Sequence, residues 1–144
     1  MTTLTAGAGA SAGAPINTSG SHLLTLFTGS TAYGTATDRS FTLQTAGGLL
    51  VSFNGSNFAS FETTGLPATG LIESVSIRNG SAVEIAALTH LLVSISNLRQ
   101  AVINADASAL NYMFFAGHDT LGGSDFADTL VARNGNDTVN AGAG

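Results

Sequence analysis

From about residue 22 to 96, apolar and polar positions alternate with a period of two, and turn-forming residues interrupt the alternation every eight to twelve positions or so. Phe41 and Leu43 flank Thr42. Leu49, Val51 and Phe53 share one side, Val75 and Ile77 sit among Ser74, Ser76 and Arg78, and Leu91, Val93 and Ile95 bracket Ser94. Alternation of this kind reads as half-buried antiparallel strands. Asn54-Gly55 and Asn79-Gly80 are expected to supply the left-handed backbone of tight hairpin turns, and Gly65-Leu66-Pro67 and Thr69-Gly70 to break the chain between strands. The expectation is a mainly β protein with an antiparallel sandwich or jelly-roll-like core of about six to eight short strands.

Beyond residue 96 the spacing lengthens to three and four. Leu98, Val102 and Ile103, then Leu110, Met113 and Phe114, each fall on one helical face, which predicts two short helices. Ser96 or Asn97 is placed to cap the first and Asp106 the second. Their apolar faces suit the open end of a following solenoid, whose first rung otherwise meets water. At the other end, residues 1–20 are uncharged and rich in Ala, Gly, Ser and Thr, with too little apolar surface to fold alone. Such an arm gains order only by adding as a strand to something else, for instance a neighbouring subunit. Four segments result: an arm over 1–20, a β-domain over 21–96, a helical cap over 97–114 and a repeat over 115–144.

The repeat carries the chemistry. FFAGHDTLG, GSDFADTLV and ARNGNDTVN are three units of nine residues, followed by AGAG. Asp119-Thr120-Leu121, Asp128-Thr129-Leu130 and Asp137-Thr138-Val139 keep the same register and match the end of the G-G-x-G-x-D-x-U-x unit, where U is a large aliphatic. In such a unit the aliphatic points into a narrow core between two parallel sheets, while the preceding residues turn and expose carbonyl oxygens and one carboxylate. Calcium, a hard cation that takes six to eight oxygens, suits that turn. Gly117, Gly135 and Gly144 hold the fourth position, where glycine lets carbonyls crowd together.

Two units complete one coil, so the 114–119 turn is expected beside the 132–137 turn and the 123–128 turn beside one that starts at Ala141. The first pair predicts a complete site from the Asp119 and Asp137 carboxylates, with carbonyls around Gly117, Asn134 and Gly135 and the Asn134 side chain. Asp128 and Asp125 would serve a second, partial site. Phe126 in place of glycine, and Phe114-Phe115 and Ala132-Arg133 in place of paired glycines, depart from the unit. His118 reads as a solvent-facing spacer.

Over residues 114–144 the chain resembles the repeats-in-toxin family of hemolysin-type calcium-binding proteins. The resemblance implies a parallel β-roll, Ca2+ as cofactor, folding supported by external calcium, and a bacterial protein exported by type I secretion without a cleaved N-terminal signal. No such signal is visible in the first residues here.

Composition narrows the function classes. Charged residues are 9% of the chain, with no lysine and four arginines, Arg39, Arg78, Arg99 and Arg133, so no basic stripe is available for nucleic acid or anionic lipid. No apolar run is long enough to cross a bilayer. The net charge of −5 is concentrated where Asp119, Asp125, Asp128 and Asp137 cluster. Cysteine is absent, which excludes disulfides and thiolate metal sites. His22, His90 and His118 lack metalloprotease spacing, no nucleophile elbow is present, and Glu62, Glu73 and Glu84 read as scattered surface charges. The expectation is therefore a non-enzymatic, secreted, extracellular or cell-surface structural protein. Its weakly charged strand edges and N-terminal arm would favour a homo-oligomer or filament, with contacts to the cell surface or a matrix. The alternative is the binding or targeting front of a longer secreted hydrolase whose catalytic part lies beyond this sequence.

Overall fold

A computed structural model describes residues 1–6 and 15–143. The alternating segments form strands, as expected, and the protein is mainly β. In chain order the elements are β1 (Thr3–Ala6), α1 (Gly20–Thr25), β2 (Thr31–Ala32), β3 (Ser40–Gln44), β4 (Leu50–Ala59), β5 (Thr69–Arg78), β6 (Glu84–Thr89), β7 (Val93–Ser94), α2 (Ile95–Ile103), α3 (Ala107–Phe115), β8 (Thr120–Gly122) and β9 (Thr138–Asn140).

The strands make one mixed sheet in the order β2-β3-β4-β5-β6-β1-β8-β9, with β7 paired to the start of β5. Two facing sheets were expected, but the strands join edge to edge and the helices contribute the opposing layer instead. From β2 to β1 all pairings are antiparallel; β1-β8 and β8-β9 are parallel. One apolar row crosses seven strands in register: Phe41, Phe53, Val75, Leu88, Leu4, Leu121 and Val139. The first six are buried and Val139, at the sheet edge, is 50% exposed. The neighbouring row, Thr42, Ser52, Ser76, Ala87 and Thr5, is small and mostly hydroxylic, with Thr42 and Ser52 hydrogen-bonded at 2.9 Å. This one-sided pattern is what an antiparallel sheet with one solvated face requires.

Helical residues complete the core. Leu23, Leu26 and Phe27 around α1, Ile95, Leu98 and Ala101 of α2, and Leu110, Phe114 and Phe115 of α3 belong to the same buried cluster as the apolar row. Phe27 reaches Phe53 at 5.6 Å between ring centroids. The two helices expected near 97–114 are α2 and α3. Asp106 caps α3 by accepting from the Ala109 amide at 2.9 Å, whereas α2 starts earlier than expected and has Ser94 at its cap position. Ile95 thus belongs to a helix, not a strand. The third helix, α1, lies where alternation was expected; Leu23, Leu26 and Phe27 carry the three- and four-residue spacing of a helical face, and Ser19 precedes them as cap.

Glycine signals divide. Asn79 does open the β5-β6 turn, its side chain accepting the Ser81 and Val83 amides at 3.0 Å each, although the left-handed residue there is Ala82. Asn54-Gly55, by contrast, lies inside β4 at a register shift against β5. A Cβ on Gly55 would fall 1.9 Å from the Leu71 carbonyl oxygen, so glycine serves close strand approach at a bulge there and not a turn. Thr69-Gly70 opens β5 for a similar reason, with Phe58 against Gly70.

The boundaries drawn from sequence are crossed by the sheet itself. β1, from the arm, lies between β6 of the β-domain and β8 of the repeat. Both edges of this strand are therefore filled within the same chain, and no neighbouring subunit is needed to order it. The part of the expected arm at residues 7–14, and Gly144, lie outside the described residues.

Candidate metal centre

Of the two parallel pairings, β8-β9 follows from the repeat. Thr120, Leu121 and Gly122 register with Thr138, Val139 and Asn140, an offset of two units. The turns stack as that offset requires: the Gly117 amide donates to the Asn134 carbonyl at 3.0 Å, the Asn136 amide to His118 Nδ1 at 3.0 Å, and the Ala143 amide to the Ser124 carbonyl at 3.3 Å. His118 is exposed, yet its ring is part of this stacking and not a free spacer.

Each Asp-Thr pair grips one residue of an adjacent segment at two points. Asp137 Oδ1 accepts the Asp119 amide at 2.9 Å, while the Thr138 amide donates to the Asp119 carbonyl at 2.8 Å. Asp119 Oδ1 accepts the Thr2 amide at 2.6 Å, and the Thr120 amide donates to the Thr2 carbonyl at 2.9 Å. Asp128 Oδ1 accepts the Ile16 amide at 2.7 Å, and the Thr129 amide donates to the Ile16 carbonyl at 2.9 Å. Thr2 and Ile16 thus stand in the register of the repeat aspartates, without their acid. Sequence reasoning missed these two residues as partners of the carboxylates. The signal was present in Thr2-Thr3-Leu4, which has the form of Asp-Thr-Leu with its first residue changed.

The same bonds show how stacked carboxylates coexist. One oxygen of each is held by a backbone amide, so mutual repulsion is offset in part without any ion. The three aspartates then diverge. Asp119 is buried, and its Oδ2 has no hydrogen-bond partner among the described residues. Asp137 is half-buried beside it. Asp128 is saturated: besides Ile16, it accepts the Ser124 hydroxyl at 2.7 Å and the Ser124 amide at 2.5 Å. Partial burial pushes the Asp128 carboxyl up, but the bonds from the Ile16 amide and from the hydroxyl and amide of Ser124 outweigh it and hold the group below its ordinary value. Asp125 is exposed. The structure therefore brings Asp119, Asp137, Gly117, Asn134 and Gly135 into adjoining turns and gives Asp128 a closed set of partners from Ile16 and Ser124.

Asp128→Ala is expected to destabilise the protein by about 1–2 kcal/mol at neutral pH in the presence of chelator. Because the folded-state value is lowered, this contribution is complete above the unfolded value, near 3.9, and disappears as pH falls through the folded one. Urea melts of both proteins at neutral and strongly acidic pH should show a gap that closes in acid.

The residues around Asp119 fit a hard cation. Its free oxygen is buried and lacks a donor. A Cβ on Gly135 would lie 1.6 Å from the Gly117 carbonyl oxygen and 3.0 Å from Asp137 Oδ1, so the absence of a side chain lets carbonyl and carboxylate oxygens crowd one place. No group of three His, Asp or Glu side chains able to hold a metal occurs among the described residues, which leaves a set of two carboxylates supplemented by carbonyls, the oxygen-only mixture that calcium accepts. Compared with known proteins, the chain matches no family model, no curated protein and no solved structure.

Proposed function

We propose that this chain is a secreted structural protein whose repeat is the start of a parallel β-roll stabilised by extracellular Ca2+, with no catalytic role. The observation that carries this reading is the buried Asp119 oxygen without a donor among the described residues; in the adjoining turns the Gly117 carbonyl and Asp137 Oδ1 close on a position that only a glycine at 135 can occupy. Asp119 and Asp137 supply carboxylates, and Gly117, Asn134 and Gly135 supply backbone oxygens. Bound there, calcium supplies positive charge to oxygens that otherwise lack it. An affinity in the range of about 10⁻⁴ to 10⁻³ M, typical of extracellular modules, leaves the site empty in a cytosol and loaded outside a cell. The resemblance of the repeat to hemolysin-type proteins supports the same reading.

Self-association belongs to this proposal. Among the described residues β9 ends the sheet, Val139 is half exposed on it, and the chain has no lysine to discourage edge pairing. The product would be a homo-oligomer, filament or matrix subunit at a cell surface.

Calcium at about ten times the dissociation constant is expected to add roughly 1.4 kcal/mol, a rise in melting temperature of about 4–6 °C followed by circular dichroism. Asp119→Ala and Asp137→Ala should each remove the rise. An unchanged melting curve for the wild-type protein in calcium would sink the reading. Sedimentation in calcium and in chelator tests assembly separately, and a monomer in both conditions removes that part.

A further inference from the structure

We infer that residues 2–4 and 16–18 form a strap across the repeat whose closure is linked to cation occupancy at Asp119, an inference that rests on the calcium reading above.

The strap is defined by contacts, not by composition. Thr2 is buried, held at its amide by Asp119, at its carbonyl by Thr120, and through its hydroxyl by the Phe114 carbonyl at 2.6 Å. Leu4 lies between Leu88 and Leu121 in the apolar row. Ile16 is held by Asp128 and Thr129, and Asn17 bridges Thr129 in parallel. Thr18 is buried: its carbonyl accepts the Asn111 side-chain amide at 2.6 Å and its hydroxyl accepts the Val131 amide at 2.6 Å. Both pieces therefore dock on the repeat through the same two-point grip that joins the repeat to itself. Thr2 and Ile16 carry no acid of their own at the gripping position.

Linkage follows from Asp119. Its Oδ1 is engaged by the strap while Oδ2 has no donor. Without a cation, closing the strap buries a carboxylate oxygen that gains nothing in return, and opening it lets water reach that oxygen. With a cation on Oδ2 the oxygen is satisfied in the closed state, and opening brings no relief. The cation thus favours closure, and by thermodynamic reciprocity a closed strap raises the affinity for the cation by the same factor. Asp128 makes no comparable contribution, since its partners are complete with the strap closed and no ion present.

The test is amide hydrogen exchange on the full chain, with calcium chloride or with chelator, alongside calorimetric titration of calcium. Exchange in segments containing residues 2–4 and 16–18 should slow about tenfold in calcium. Asp119→Asn, which keeps an acceptor for the Thr2 amide but supplies no charge, should lose that slowing. Leu4→Ala, which weakens docking without touching the site, should lower calcium affinity in the titration. Calcium that binds the wild-type protein while leaving exchange of these segments unchanged overturns the linkage and leaves the calcium reading intact. Calcium that produces no heat and no protection overturns both. Slowing that persists in Asp119→Asn also refutes the linkage through this carboxylate.

Discussion

Gly135→Ala is expected to abolish the calcium response and to open the β8-β9 pairing at a cost of about 4 kcal/mol, while β2 to β6 stay folded. The new Cβ would meet the Gly117 carbonyl oxygen at 1.6 Å, and the backbone at Gly135, with φ +149, is one that alanine adopts only under strain. The obstacle is backbone, so no side-chain rotation relieves it and the two turns must separate. Four hydrogen bonds depend on their closeness: Gly117 amide to Asn134, Asn136 amide to His118 Nδ1, Asp119 amide to Asp137, and Thr138 amide to Asp119. At about 1 kcal/mol each they set the estimate. Calorimetric titration measures the lost affinity, and exchange of the β8 and β9 amides measures the opening. Asn136→Ala in the same turn is the control, since its exposed side chain forms no hydrogen bond among the described residues. Calcium affinity retained within a factor of two in Gly135→Ala would show that the stacked turns are not the site.

The second large effect is global. Phe53→Ala should cost about 3–5 kcal/mol in urea unfolding, at any calcium concentration. Phe53 has no solvent exposure and stands second in the seven-strand row. Its ring stacks on Phe41 at 4.7 Å and meets Phe27 from the segment after α1 at 5.6 Å, so one truncation loosens both layers of the core. Against a total of roughly 5–15 kcal/mol for an ordinary domain, this leaves little folded protein in reserve. Leu92→Ala, at a position 79% exposed, should change stability by no more than about 0.5 kcal/mol. A Phe53 variant as stable as the Leu92 variant would contradict the core described above.

Much of this was legible because burial on one face leaves a periodic trace. Phe41, Leu43, Val51 and Phe53 alternate and are buried, and Leu110 and Phe114 keep helical spacing and are buried on α3. Asp119 and Asp137, two units apart, meet because a fixed repeat length fixes the register. What the sequence hid was of another kind. Whether strands close into two layers or one depends on which edges meet, and no local pattern records that Thr3–Ala6 fits between β6 and β8. Gly55 misled because glycine at a turn and glycine under a crossing backbone are the same residue, told apart only by the Leu71 carbonyl that lies above it. The carboxylates were assigned to ions alone because their backbone partners, Thr2 and Ile16, lie more than a hundred residues away in the chain.

That separation bears on how the molecule assembles. Strands β3 to β6 pair with their sequence neighbours, so they can form early from short-range encounters. Thr2 and Asp119 are 117 positions apart, and β1 must find β6 and β8 together before the row from Phe41 to Val139 is continuous. Closing so long a loop is slow relative to hairpin formation, so an early segment of the chain settles last. Until it does, the two neighbouring strands keep bare edges, and that interval is when this protein is most exposed to pairing with other chains.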